Sequence, residues 1–130
     1  MKYTIILFSF VFYLFLAGFT AIPTFVSPLA AQTQNSADEA QKNYDKGKKL
    51  YDQQKYKEAF PWLLKAAEMG HSDAQMHLGK MYYNGWGVPH SHAKGRQWHE
   101  KAAAQGNQES MAKLKSMNMH DQKPGHKPEH

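Results

Sequence analysis

Apolar residues recur at helical spacing through the middle of the chain and predict short amphipathic helices. Residues three, four and seven positions apart share one face of an α-helix, so an apolar stripe at that spacing indicates a helix with one buried side. Two such stripes are Ala59, Trp62, Leu63, Ala66, Ala67 and Gly70, and then Ala74, Leu78 and Tyr82. The whole pattern predicts five helices, over about 37–53, 56–69, 73–83, 92–105 and 108–118.

One block of sequence occurs twice, at a fixed offset of 36 residues. The segment FPWLLKAAEMGH over 60–71 aligns with RQWHEKAAAQGN over 96–107. Leu78 and Leu114 keep the same offset, so a third unit begins after Gly106. The aligned pairs include Trp62 with Trp98, Ala66 with Ala102, Ala67 with Ala103, and Gly70 with Gly106. A fixed period of this size is typical of a solenoid, in which stacked helix pairs share one core.

Polar residues at three of the predicted helix starts indicate how free backbone amides find partners. Ser36 with Glu39, and Ser72 with Gln75, each match the capping box, in which two side chains satisfy amides at a helix start. Ser91 is predicted to cap the fourth helix. At the helix ends, Gly70 and Gly106 suit the left-handed position that commonly follows a helix.

The second unit carries the residue types and spacing of a known repeat. The segment AQMHLGKMYYNGWGVPHSHAKGRQWHEKAAAQGN over 74–107 resembles the Sel1-like repeat, a relative of the tetratricopeptide repeat. The matching positions are Ala74, Leu78, Gly79, Tyr82, Gly85, Gly87, Val88, Lys94, Trp98, Lys101, Ala102, Ala103 and Gly106. The preceding segment over 44–70 is similar to a shorter, tetratricopeptide-like version, with Gly47, Tyr51, Tyr56, Ala59 and Ala66. The resemblance covers about residues 40–115.

The resemblance implies an all-α fold, a short α-solenoid of antiparallel helix pairs with two repeats and a C-terminal capping helix. Two residues are expected to weaken the helices locally. Gly95 stands where the family has alanine, and glycine inside a helix costs about 0.5–1 kcal/mol relative to alanine. Pro61 lies early in the second helix, where it leaves a carbonyl group unpaired unless it falls in or near the first turn.

The stretch NGWGVPHSH over 84–92 is predicted to be a turn between helices. Gly85 and Gly87 allow positive φ where one helix ends, and Val88 and Pro89 close the turn. A phosphate-binding loop would need a preceding strand and a Lys-Ser/Thr pair at the helix start, and the sequence contains neither. Two interpretations of Trp86 stay open: an exposed anchor for a partner, or a ring that folds back onto its own helices.

The first 31 residues differ in composition from the rest. After Met1 and Lys2 the chain is apolar and uncharged, which predicts a secretory signal peptide cleaved after Ala31. The alternative is an uncleaved membrane anchor over 5–22, and either form places the protein in the periplasm, outside the cell or on a membrane. Cleavage would lower the net charge from +5 to +4. Because an exported protein rarely meets nucleic acid, this remaining positive charge favours acidic partners or anionic surfaces. The chain contains no cysteine, so no disulfide supports the fold.

The rest of the chain is predicted to divide into a repeat domain over 32–119 and a disordered tail over 120–130 that is rich in histidine, lysine and proline. The tail sequence MNMHDQKPGHKPEH contains thioether and imidazole groups, which suit copper. A periplasmic copper- or zinc-binding protein is therefore the alternative function. Elsewhere no metal site or cofactor is predicted, because the neighbouring His90 and His92 supply two ligands where zinc needs three or four.

The predicted function is a non-catalytic protein-interaction module or adaptor. No serine has the setting of a strained nucleophile, and the acidic residues Glu58, Glu68 and Glu100 are expected on solvent faces. The resemblance implies that the first helix of each pair lines a groove for a protein or peptide. Aligning the two units on Gly47 and Gly79 gives the groove positions as Tyr44, Lys48, Tyr51, Asp52, Met76, Lys80, Tyr83 and Asn84, together with Trp86.

Two lysines among tyrosines and a methionine would suit an acidic or extended peptide. The alternative is that Tyr44, Tyr51 and Met76 are core residues, because the pattern alone does not fix how a helix is rotated. A stack normally needs about three repeats to be stable. Two and a half repeats are therefore expected to gain stability from weak self-association or from a partner.

Overall fold

A computed structural model of the protein describes residues 28–121. Within these residues the chain forms helices and no strands, so the predicted all-α class is confirmed. The helices are α1 (Pro28–Asp52), α2 (Tyr56–Glu68), α3 (Ser72–Asn84), α4 (His92–Ala104) and α5 (Gln108–Asp121). Most of the apolar N-terminal segment, over 1–27, and most of the predicted tail, over 122–130, lie outside the described residues.

The chain divides into two compact units, over 1–32 and 33–130. Of the first unit, the described part is the beginning of α1, and cleavage after Ala31 stays a prediction. The second unit contains the repeats, and its last described helix runs to Asp121, two residues beyond the predicted end of the repeat domain. Among residues 28–121, no helix combines the length and the apolar character that crossing a bilayer requires.

Neighbouring helices pack against each other in chain order, with α2 on α3, α3 on α4 and α4 on α5. The two predicted apolar stripes form the core where these helices meet. Trp62 is half-buried, and the Nζ of Lys46 lies 3.5 Å from its ring centroid. The fully or nearly fully buried cluster consists of Tyr44, Ala59, Leu63, Ala66, Ala67, Ala74, Leu78 and Met81. Adjacent helix pairs thus share one core, as the short solenoid predicts.

Two of the three predicted helix caps are wrong. The helix α1 already begins at Pro28, so Ser36 lies inside it and its hydroxyl donates to the carbonyl oxygen of Thr33 at 2.9 Å. The helix α3 begins at Ser72, one residue early, and its N-cap is His71, whose Nδ1 accepts from the backbone N–H of Ala74 at 3.3 Å. Ser91 caps α4 as predicted, because its Oγ accepts from the N–H of Lys94 at 3.3 Å.

The stretch over 84–92 is the predicted turn. Gly85 ends α3 in the left-handed conformation with φ 70°, and Gly87 follows with φ 72°. Gly87 also lies so close to α2 that a Cβ atom there would be 2.6 Å from the carbonyl carbon of Tyr56. Gly70 and Gly106 have positive φ as well, which confirms their predicted place after a helix. Glycine at 87 therefore brings the α3–α4 loop against the beginning of α2.

The helices α3 and α4 approach closely, and this contact explains the glycine at 95. A Cβ atom on Gly95 would lie 3.0 Å from the carbonyl oxygen of Gly79 and 3.1 Å from the backbone nitrogen of Tyr83. Glycine here costs helix propensity but allows the two backbones to approach. Pro61 is the sixth residue of α2, past its first turn, so the carbonyl of Lys57 has no N–H of residue 61 to accept.

Substituting Gly79→Ala tests the close approach of α3 and α4 at a second point, where Gly79 lies against His99. The added methyl group would lie 2.7–2.9 Å from atoms of the His99 ring, which overpacks the interface. We expect the free energy of unfolding to fall by about 1–3 kcal/mol, measured by chemical denaturation. In a His99→Ala background the same substitution should cost much less, because the two sites are coupled through one contact. Equal cost in both backgrounds would contradict the described packing.

Candidate functional site

The helices α1, α3 and α5 are the first members of successive units, and they contact one another side by side. The ring of Tyr44 on α1 meets His77 on α3, with centroids 5.7 Å apart. Further along, Lys80 on α3 pairs with Glu109 on α5. We call the surface formed by α1, α3 and α5 the first-helix face. It contains the predicted groove positions, and the contacts between its helices hold successive units together.

Two predicted groove residues, Tyr44 and Met76, are buried, so the interpretation of these two side chains as available to a partner is corrected. Their exposed fractions are 9% and 7%. The ring of Tyr44 stacks on His71 with centroids 4.2 Å apart, because α3 of the next unit covers this part of α1. Burial raises the pKa of Tyr44 to about 12. Tyr44 belongs to the core cluster, as the alternative interpretation proposed.

The two lysines of the predicted groove have carboxylate partners within the chain. The Nζ of Lys48 lies 2.6 Å from Oδ2 of Asp52, one helical turn away on α1. Lys80 pairs with Glu109, which ties α3 to α5. Asn84 is exposed, and its side-chain amide donates to the carbonyl oxygen of Lys80 at 2.9 Å. These positions are accessible, but their positive charges are balanced internally.

The half-buried tyrosines of the first-helix face lie between charged or aromatic neighbours. Tyr51 contacts His77 edge-on with centroids 4.7 Å apart, and burial raises its pKa to about 12. Tyr83 has the ammonium group of Lys113 at 3.8 Å from its ring centroid. Its edge contact with His92 has a centroid distance of 4.5 Å. Both rings are held in place and remain partly accessible.

Trp86 combines the two interpretations that the sequence left open. Its ring stacks on Tyr56 with centroids 5.0 Å apart and planes 13° apart. A second contact, 6.0 Å between centroids, joins it to Tyr51. The side chain therefore folds back onto the first helix pair, and yet 37% of the residue stays exposed. An aromatic ring that is both supported and accessible has the properties of an interface anchor.

His90 and His92 lie together, and His77 lies apart from them in the core. His77 is buried and its Nδ1 lies 2.8 Å from the carbonyl oxygen of Asp73, while burial lowers its pKa. The rings of His90 and His92 contact each other at 4.7 Å between centroids. Residues 28–121 contain no group of three histidine, aspartate or glutamate residues placed to hold a metal ion. Of the segment over 117–130 that was considered for copper or zinc, residues 117–121 lie on α5, and residues 122–130 are outside the described residues.

His99 is the residue whose environment the sequence interpretation missed. It is fully buried, its Nδ1 lies 3.1 Å from the hydroxyl oxygen of Ser110, and its Nε2 has no hydrogen-bond partner. Desolvation lowers the pKa of His99 to about 4, and the positive charges of Lys113 and Lys80 add to this effect. The signal was present in the repeat: 36 positions before His99 stands Leu63, a fully buried core residue.

The acidic residues lie where a binding module is expected to have them. Glu58, Glu68 and Glu100 are exposed, as predicted. Glu100 accepts from Nε of Arg96 at 3.0 Å on the exposed surface of α4, whereas His99 is buried. Neighbours in sequence on a helix do not face each other, so these two residues form no acid–base pair.

Comparison with known proteins gives one result for this chain. A family model described as Sel1 repeat matches residues 43–71 and 72–107, which together make up half of the 130 residues. The boundary between the two matched segments lies at the beginning of α3, where the second helix pair begins. No curated protein and no solved structure gives a match.

The burial of His99 predicts a dependence of stability on pH. Its pKa is about 4 in the folded state, below the ordinary value of 6.5, so the unfolded chain takes up the proton first. The free energy of unfolding should therefore fall as the pH falls from above 6.5 to about 4, by up to about 3 kcal/mol from this residue. Urea denaturation at a series of pH values measures this fall in the free energy of unfolding.

A His99→Gln variant is the control for this prediction. It lacks the titrating group and should lose less stability between pH 7 and pH 4 than the wild-type protein. The remaining slope would include His71 and His77, whose pKa values burial also lowers. Identical slopes for the two proteins would show that His99 takes up its proton as readily in the fold as in the unfolded chain.

Proposed function

The chain belongs to the Sel1 repeat family, and on that premise we propose that it is a non-catalytic adaptor that binds a protein or peptide on its first-helix face. Sel1 repeats are typically protein–protein interaction modules, so the general role follows from the family. The finer proposal is the binding surface. The single observation that supports it best is Trp86, an aromatic ring supported by Tyr56 and still 37% exposed beside the first-helix face.

The surface next to Trp86 has the composition of a protein interface. Tyr51 and Tyr83 are half-buried, and their positions are fixed by ring contacts with His77 and His92. Aromatic residues are enriched at interfaces, and a ring with a fixed position loses little conformational entropy when a partner binds. These two tyrosines, rather than the buried Tyr44 and Met76, are therefore the proposed contacts along α1 and α3.

We also propose that the protein acts outside the cytoplasm. The support is the sequence of its first 31 residues, with Lys2 followed by a long uncharged apolar run and small residues at 30 and 31. The partner would then be a periplasmic or extracellular protein. If the segment is not cleaved, it anchors the module to a membrane.

Affinity capture with a double variant tests the binding surface. Immobilised protein carrying Tyr51→Ala and Tyr83→Ala should lose the partners that the wild-type protein captures from a periplasmic or culture extract. Loss of two aromatic contacts is expected to weaken binding by about 2–4 kcal/mol, enough to abolish capture. Quantitative mass spectrometry of the captured proteins measures the difference.

The matched control removes two half-buried aromatic rings that are not among the proposed contacts. Phe60 and Tyr82 contact each other edge-on at 5.8 Å between centroids, where α2 meets α3. Phe60→Ala with Tyr82→Ala should reduce stability and leave capture intact at a temperature where the variant is folded. If both double variants capture the same proteins as the wild type, the proposed surface is misplaced.

We further propose weak self-association through α5. This helix has the apolar positions of a first helix, but no second helix covers it within residues 28–121. Leu78 on α3 is fully buried, whereas its repeat equivalent Leu114 is half-buried and the nearby Met111 is 38% exposed. A second copy of the chain would cover this surface and supply the packing that a third full repeat would give.

Denaturation at several protein concentrations measures this association. If copies associate in the folded state, the midpoint of unfolding should rise with protein concentration, because association stabilises the folded form by mass action. A Met111→Lys variant places a charge on the exposed surface and should show a smaller rise. A midpoint that stays constant over a hundredfold range of concentration would rule out self-association.

A further inference from the structure

We propose that an acidic, extended segment of the partner docks on a patch at one end of the first helix pair. This Trp86 patch consists of Trp86, Tyr56, Lys55 and Lys57. The proposal rests on the proposed function, because it specifies which part of the surface the partner meets first and which chemistry the partner carries there. The supporting observations are the fixed position of the tryptophan, a recess beside it, and two lysines at the recess that have no carboxylate partner among residues 28–121.

The patch is held in place because the α3–α4 loop lies against the beginning of α2. Gly87 follows Trp86 and lies against the backbone of Tyr56 and Lys57, where a Cβ atom would come within 2.6–2.7 Å of backbone atoms. The backbone N–H of Trp86 donates to the carbonyl oxygen of Met81 at 2.9 Å, which fixes the backbone of Trp86 to the end of α3, and the ring itself stacks on Tyr56. A partner that binds here therefore meets an ordered surface and loses little free energy in ordering it.

A recess lies near the tryptophan, between the α1–α2 turn and the α3–α4 loop. It is lined by Gln54, Lys55, Tyr56, Lys57, Glu58 and Gly87. Its walls are the turn between α1 and α2, the first residues of α2 and Gly87. Trp86 precedes Gly87 in the chain and stacks on Tyr56, one of the lining residues. A recess of this kind accepts one or two side chains of an extended segment, whereas a helix would need a longer groove.

The distribution of positive charge indicates the sign of the partner. On the first-helix face, Lys48 and Lys80 pair with Asp52 and Glu109. Four further lysines lie over aromatic rings of the same chain: Lys46 on Trp62, Lys94 on Tyr82, Lys101 on Trp98 and Lys113 on Tyr83.

Five lysines of residues 28–121 have neither kind of partner: Lys42, Lys49, Lys55, Lys57 and Lys115. Of these five, Lys55 and Lys57 line the recess. Both are exposed, and neither forms an ion pair or a ring contact with the part of the chain that the structure describes. Glu58 is the one acidic residue that lines the recess. Two positive charges against one negative charge, next to an accessible tryptophan, are complementary to a segment with carboxylates flanking an apolar side chain.

Binding of a defined peptide to the full-length chain tests the proposal. The probe is a short fluorescent peptide in which glutamate and proline residues alternate around a central leucine. Its control is the same peptide with glutamine in place of glutamate. Fluorescence anisotropy gives the dissociation constant for each. We expect the glutamate peptide to bind roughly tenfold more tightly than the glutamine peptide at low salt, and the difference to shrink as salt is added.

Variants of the patch identify the site. Trp86→Ala should weaken binding of the glutamate peptide roughly tenfold or more. Lys55→Glu with Lys57→Glu should abolish the preference for glutamate. The matched control is Lys42→Glu with Lys115→Glu, which changes the net charge equally at exposed positions away from the patch and should retain most of the affinity.

The outcomes separate this proposal from the proposed function. Equal binding of the two peptides, or equal losses in the patch and control lysine variants, would overturn the acidic-segment proposal. Partner capture that depends on Tyr51 and Tyr83, but not on Trp86 or the two lysines, would leave the adaptor function in place and remove the patch. Glutamate-dependent binding that disappears only in the patch variants would support the acidic-segment proposal.

Discussion

The two helices of each pair are held together by the same contact: a glycine on the first helix beneath a large side chain of the second. A Cβ atom on Gly47 would lie 2.8 Å from Cγ of Leu63, and one on Gly79 would lie 2.7 Å from the ring of His99. Both partners are fully buried. The absence of a side chain lets the backbones approach, and the closer packing supplies the dispersion contacts that a small, cysteine-free core depends on. Because both units use this contact, they share one geometry and stack.

The sequence predicted the five helices and the turn over 84–92 well, because helices and turns depend on local signals. The stripe from Ala59 to Gly70 and the positive φ at Gly85 and Gly87 are determined by residues close in the chain. The two wrong caps fail for a different reason. Several polar residues near a helix start can accept an amide hydrogen bond, and tertiary packing decides which one does so. His71 caps α3 because its ring also stacks on Tyr44, a contact that only the folded chain brings together.

The candidate site was predicted less completely, because it depends on contacts between units. Alignment of the two units placed Tyr44 and Tyr51 on the same face of α1, and both rings contact His77 of α3. It could not show that α3 of the next unit would cover Tyr44 and leave Tyr51 half-buried. The same limit explains why the burial of His99 was not predicted. From the sequence, His99 was assigned no position, whereas its place in the repeat, equivalent to the buried Leu63, accounts for its burial.

The pairing of charges within the chain determines which lysines are available to a partner's carboxylates. A lysine whose ammonium group already has a carboxylate or an aromatic ring nearby gains little when a partner brings another carboxylate, because the new contact replaces an existing one. Lys48 and Lys80 are in this position, so the middle of the first-helix face favours contacts with rings rather than with charges. Lys55 and Lys57 have no such neighbour among residues 28–121. This difference supports the proposal that charge is recognised at the end of the first helix pair, beside Trp86, and shape along Tyr51 and Tyr83.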